Sequence, residues 1–108
     1  MSIPLPKPIV EYFAAEKAGD AARLARCFAN DAVVHDEGGT FTGTIAIERW
    51  NAAARAKYHH TVEPMSSTVW DDATIVVGRV AGEFPNSPIE LDHIFRLDGD
   101  RIASLEIG

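Results

Sequence analysis

Tyr12, Asp36 and His93 are polar residues at positions where the surrounding pattern calls for buried side chains. A phenol, a carboxylate and an imidazole facing one apolar space could move a proton and stabilise the charge that follows. Asp36 shares strand parity with Ala32 and Val34, so the face that carries it is otherwise apolar. A carboxylate there is partly desolvated, which raises its pKa and suits it to act as a base. The alternative is a strand-end aspartate that caps the following Gly38-Gly39 turn.

His93 alternates with Ile89, Leu91, Phe95 and Leu97, while Glu90, Asp92, Arg96 and Asp98 take the opposite parity together with Ile94. The imidazole therefore points inward, either as a satisfied core residue or as a partner for a substrate oxygen or for Asp36. Tyr12 lies on an apolar helical face, where it serves as packing or as a second donor to an oxyanion.

The elements that must bring these residues together follow from local patterning. Ile9, Tyr12, Phe13 and Ala18 have helical spacing, with prolines at the front and Gly19 at the end. Asp20 is placed to cap a second helix with the apolar face Ala21, Leu24, Ala25 and Phe28, and the two helices form a hairpin. Ala32 to Asp36 reads as a strand, and Thr40 to Thr42 as a short extended piece. A third helix follows, carrying Ile45, Ile47, Trp50, Ala53 and Ala54.

The rest is β in character: His59 to Trp70, Thr74 to Phe84, Ile89 to Leu97 and Arg101 to Ile107, separated by turn-forming residues. Successive strands should pair antiparallel. The expected fold is a single α+β domain over residues 1–108, with three N-terminal helices packed on a curved, mainly antiparallel sheet in a cone-like barrel. Its cavity would be lined by Phe13, Phe28, Trp50, Val76, Val80 and Phe84, with Phe41 near the mouth. Gly78 and Gly82 share the parity of Val76, Val80 and Phe84 and leave room on the inner face.

Other polar candidates are weaker. His35 has the parity of Val33 and should face away from Asp36, and His59 and His60 open a strand among polar neighbours and should be solvated. No histidine has metal-ligand spacing with a second His or Cys, so no metal is expected, and there is no Gly-rich phosphate loop after a strand, no nucleophile elbow and no Walker lysine. Cys27 is the single cysteine and falls on an apolar helix face, as an inert packing residue. Sixteen acidic against ten basic side chains, with no basic cluster, argue against nucleic acid or an anionic membrane as partner. The N-terminal MSIPLPKP lacks the apolar run of a signal peptide, so a cytoplasmic location is expected.

Four strings resemble the nuclear transport factor 2-like superfamily, which includes ketosteroid isomerases and SnoaL-like polyketide cyclases. They are YFAAEKAGD (Tyr12 to Asp20), CFANDAVVHD (Cys27 to Asp36), FTGTIAIERW (Phe41 to Trp50) and FRLDGDRI (Phe95 to Ile102). The resemblance to ketosteroid isomerase implies a catalytic tyrosine at Tyr12, eight residues before Asp20, and a general base at Asp36, sixteen residues after it. That family's third group, a protonated aspartic acid two residues before the F-R string, is replaced here by His93.

The resemblance implies a cofactor-independent isomerase or cyclase acting next to a carbonyl of a small apolar organic compound. Because His93 departs from the isomerase pattern, steroid isomerisation itself is not the expectation. The alternative is a non-catalytic ligand-binding or dimerisation domain of the same fold. Ile75, Val77 and Trp70 make the outer sheet face more apolar than a solvated sheet needs, so a homodimer through that face is expected.

Overall fold

The computed structural model describes residues 3–108. Helix α1 spans Lys7–Ala18. Its first N–H groups, those of Ile9 and Val10, both donate to Pro6 O at 3.0 Å, so the prolines sit where their missing donors cost nothing. Gly19 closes the helix in the left-handed region (φ 72°), and Asp20 N–H reaches back to Ala15 O at 3.1 Å. The Asp20 carboxylate then accepts from Arg23 N–H at 3.0 Å and starts α2, Ala21–Ala25.

The second helix is shorter than its apolar spacing predicts, and this changes the place of two residues. Phe28 is not on a helix: it opens β1, Phe28–Asp36, because the backbone there is captured by the last strand. Ile102 N–H donates to Cys27 O at 2.8 Å and Phe28 registers with Ile102. Cys27 sits in the connecting turn, buried, and burial pushes its thiol pKa up, consistent with an inert packing role.

Glu37 (φ 52°) and Gly38 (φ 76°) make a two-residue hairpin turn between Asp36 and Gly39, leading into β2, Gly39–Thr42. Two positive φ values in succession match the twist of the flanking strands. Helix α3 spans Thr44–Tyr58 and ends at His59, itself left-handed (φ 47°). Strands β3 (Thr61–Trp70), β4 (Ala73–Ala81), β5 (Ile89–Asp98) and β6 (Arg101–Ile107) complete the chain.

The sheet has the order β2-β1-β6-β5-β4-β3. Strands β3 to β6 form the expected antiparallel meander, and β1 joins it by pairing parallel to β6. The helices pack on this sheet, giving the predicted α+β architecture. Strand β4 ends at Ala81 rather than running to Phe84, because the following segment crosses to the end of α3, where Glu83 N–H donates to Tyr58 O at 2.7 Å.

The register divides the interior in two. At one end Phe28, Phe95, Ile102, Leu105 and Val76 meet Ile9, Leu24 and Ile47 in a fully buried core, where each large side chain contributes about 1.5–3 kcal/mol. The ends of β1, β6 and α3, the second half of β4 and the first half of β5 lie at the other end. That end is hollow.

Candidate functional site

The hollow is a cavity of about 470 Å³, the size of a site for a small organic molecule. Tyr12 and Glu16 reach it from α1, four residues apart and so on one helical face. Trp50, Asn51, Ala54 and Tyr58 reach it from α3 with the same logic of three, four and eight positions. Asp36 and Glu37 come from the β1–β2 hairpin, Val80 from β4, Phe84 to Asn86 from the loop after β4, and Ile89, Leu91 and His93 from β5.

All three residues singled out by their type, Tyr12, Asp36 and His93, line this one cavity, as do Trp50, Val80 and Phe84. The other four expected lining residues do not. Phe13, Phe28 and Val76 are spent in the packed core, and Phe41 lies behind Trp50, its ring 6.1 Å away. Nor does Gly78 leave open space, since a Cβ there would stand 2.7 Å from His93 Cε1; the imidazole itself occupies the room.

Asp36 is half-buried and accepts a hydrogen bond from Trp50 Nε1 at 3.0 Å through Oδ2. Burial pushes its carboxyl above the usual aspartate value, opposed by the Trp50 bond and reinforced by the neighbouring charge of Glu37. Tyr12 is 2% exposed, its ring held edge-on by Phe13, Phe28 and Phe95. Burial, then the charges of Glu16 and Asp36, hold its phenol well above the ordinary tyrosine value, so it stays protonated as a donor.

His93 is buried between Phe13 and Phe95, with ring centroids at 5.8 and 6.4 Å. Burial lowers its pKa below 6.5, against the raising effect of the Leu91 carbonyl, so the ring is neutral at neutral pH. Its Nδ1 lies 3.1 Å from Leu91 O. In the neutral ring that contact places the proton on Nδ1 and leaves Nε2 as the acceptor nitrogen. The donor to a substrate oxygen is thus Tyr12, not the imidazole.

Sequence patterning missed a second polar group in the same cavity. Glu16, 5% exposed, accepts from Asn51 Nδ2 at 2.9 Å, His60 Nε2 at 3.0 Å and Arg55 NH2 at 3.3 Å. Burial alone would raise its pKa, but the bond and charge of His60, then Asn51 and Arg55, outweigh it and lower the value. His60 is partly buried, its side chain 11% exposed, rather than solvated, because the left-handed turn at His59 redirects the chain toward α1. A signal for two of these residues was present: Glu16 stands three and four positions from Phe13 and Tyr12, and Asn51 four from Ile47. His60 carried none. Among the described residues no cluster could hold a metal ion, and no helix is long and apolar enough to cross a membrane.

Residues 9–105 match the model of the SnoaL-like domain. The chain belongs to the SnoaL-like domain family. A candidate polyketide cyclase from Sinorhizobium meliloti is 42% identical, with a TM-score of 0.92 over 96% of this chain and 95% of the other. A protein with a ketosteroid isomerase-like fold from Catenulispora acidiphila, solved in complex with trimethylamine, is 21% identical with a TM-score of 0.84, covering 97% and 86%. A cystatin-fold protein from Novosphingobium aromaticivorans is 16% identical with a TM-score of 0.79, covering 97% and 99%. No curated protein matches the chain. Family membership and cavity together make this SnoaL-like protein a small-molecule-binding domain of the nuclear transport factor 2-like superfamily.

Proposed function

We propose that the domain is a cofactor-independent isomerase or cyclase that transfers a proton next to a carbonyl of a small apolar organic compound. The observation that carries this reading is the convergence of Asp36, Tyr12 and His93 on one largely apolar cavity. Asp36, its Oδ2 held by Trp50, takes the proton from the carbon beside the carbonyl, and its raised pKa brings it closer to a useful working range. Negative charge then develops on the carbonyl oxygen. The Tyr12 hydroxyl, kept protonated by burial, donates to that oxygen, the effect that usually dominates enolate stabilisation. His93 accepts a hydrogen bond from the enol or from a substrate hydroxyl through the nitrogen that Leu91 leaves free. Asp36 returns the proton to a second carbon, completing an isomerisation, or the enolate carbon attacks a second carbonyl, whose π electrons pass to its oxygen, and that oxygen takes the proton back from Asp36, completing an aldol-type cyclisation. The 42% identical candidate polyketide cyclase supports this class of chemistry.

The test is exchange of α-protons for deuterium in a bicyclic ketone such as 2-tetralone, followed by NMR. The folded protein should accelerate exchange, and Asp36→Asn should lower the rate by about 10²–10⁴ while leaving the fold intact. Equal rates with and without protein, or an undiminished rate in Asp36→Asn, would remove Asp36 from the reaction.

The second reading, a non-catalytic binding domain that dimerises through its outer sheet face, draws support from the apolar surface at the edge of the sheet. Trp70 on β3 is 71% exposed and shares the face of Ile75 and Val77 on β4, which are half-buried. Sedimentation of the wild type against Trp70→Lys tests it, the lysine variant being expected to shift the protein toward monomer.

A further inference from the structure

Trp50 and Tyr58 stand eight residues apart on α3, and both line the cavity. Each sends a hydrogen bond to the same hairpin. Trp50 Nε1 donates to Asp36 Oδ2 at 3.0 Å, and the Tyr58 hydroxyl donates to Glu37 Oε1 at 2.8 Å. Two consecutive residues, the last of β1 and the first of the turn, are therefore tied to one helix.

Glu37 is a poor fit to its own backbone. It lies in the left-handed region (φ 52°), at a turn position that Asn, Asp or Gly occupies with less strain than a glutamate. A strained residue beside a candidate base points to a role outside the turn. The partner it meets is itself held: the Tyr58 ring stands edge-on to Phe84 at 5.9 Å, and the Tyr58 carbonyl accepts from Glu83 N–H at 2.7 Å. The Tyr58–Glu37 bond is exposed, but its acceptor is a carboxylate, which makes it one of the stronger kind.

We infer that Tyr58 is a positioning residue for Asp36: by gripping Glu37 it holds the end of β1 against α3 and so fixes the carboxylate that takes the proton. This rests on the proposed proton transfer and adds a residue to it. The Trp50 bond by itself sets the distance of one carboxylate oxygen from the helix and leaves the group able to turn about that contact. A second tie, one residue along the chain and about two helical turns away, removes that freedom.

Exchange of the α-protons of 2-tetralone, measured over a range of ketone concentrations, separates kcat from KM. Tyr58→Phe keeps the ring and loses the tie. Its kcat should fall about tenfold with KM changed by less than about twofold, against the roughly 10²-fold that a displacement of about 1 Å costs. Glu37→Ala should lose as much and the double variant no more, since both remove one bond. Glu37→Gln, whose amide oxygen still accepts from Tyr58, should regain most of what Glu37→Ala loses. The chain has two tryptophans, so the Trp50 indole N–H, which reports on Asp36, can be followed in a ¹⁵N spectrum with Trp70 as the control. Tyr58→Phe should shift the Trp50 signal and leave that of Trp70 in place. An active wild type with an unchanged kcat in Tyr58→Phe, a loss confined to KM, additive losses in the double variant or an unmoved Trp50 signal overturns the positioning alone. A wild type that does not accelerate exchange overturns the proposed reaction and the role of Tyr58 in it together.

Discussion

Replacing Glu16 by glutamine changes one atom type in the most highly connected polar group of the protein, and its consequence can be worked through. The carboxylate, its side chain 2% exposed, accepts from three donors, two of them able to carry charge. Hydrogen bonds to a charged group are worth about 1.5–3 kcal/mol each, neutral ones about 0.5–1.5. Glutamine also presents an NH2 to Asn51 or to the Arg55–His60 side, so one bond becomes a clash of donors. The guanidinium of Arg55 loses its buried counter-charge at the same time. Breaking a buried pair in this way costs about 3–5 kcal/mol. That is a large share of a total stability of about 5–15 kcal/mol.

The pH dependence carries a sign. The folded pKa of Glu16 lies below the usual glutamate value of 4.5, so its contribution is complete above 4.5 and is lost as pH falls through the lower folded value. Urea unfolding of wild type and Glu16→Gln should therefore differ by about 3–5 kcal/mol at pH 7 and converge in acid. A difference under about 1 kcal/mol, or one that stays constant below pH 4.5, would refute the idea that an ionised Glu16 organises this end of the cavity.

Three other outcomes follow from the same geometry. Asp36→Asn should melt no lower, and by sign somewhat higher, than wild type near neutral pH, because the raised pKa means the ionised carboxylate is disfavoured in the fold above 3.8; the advantage should fade in acid, which scanning calorimetry across pH would reveal. His93 should titrate below the usual histidine value of 6.5 in a histidine NMR titration, and the stability it confers should be present above 6.5 and decline as pH falls through the folded value. Gly78→Ala should cost about 1–3 kcal/mol by overpacking and perturb the His93 resonances, since the new Cβ would lie 2.7 Å from Cε1 and 3.0 Å from Nδ1. An alanine variant as stable as wild type with an unmoved His93 signal would contradict that packing.

Strand parity on β1 and β5 placed Asp36 and His93 on inward faces, and helical spacing placed Tyr12 beside them; periodicity reports the orientation of a side chain relative to its own element, and in these three cases that was enough. The meander and its turns were legible for the same reason. What periodicity does not contain is which inward positions meet solid packing and which meet a void. Phe13, Phe28 and Val76 have the same inward character as Trp50 and Val80, yet they fill the closed end of the cone. Only the parallel pairing of β1 with β6 decides where that end lies, and it also pulls Phe28 out of the helix that its spacing suggests.

The amino-acid order by itself thus determined the elements, their apolar faces and three chemically able groups on them. The tertiary structure decided the Glu16–His60–Asn51 cluster and the direction of the His93 proton. Glu16 on α1 and His60 in the connection between α3 and β3 are 44 residues apart. Their attraction depends on a short distance in a low-dielectric interior, a quantity that no local pattern encodes and that exists only once α1 and the start of β3 have closed over the same hollow.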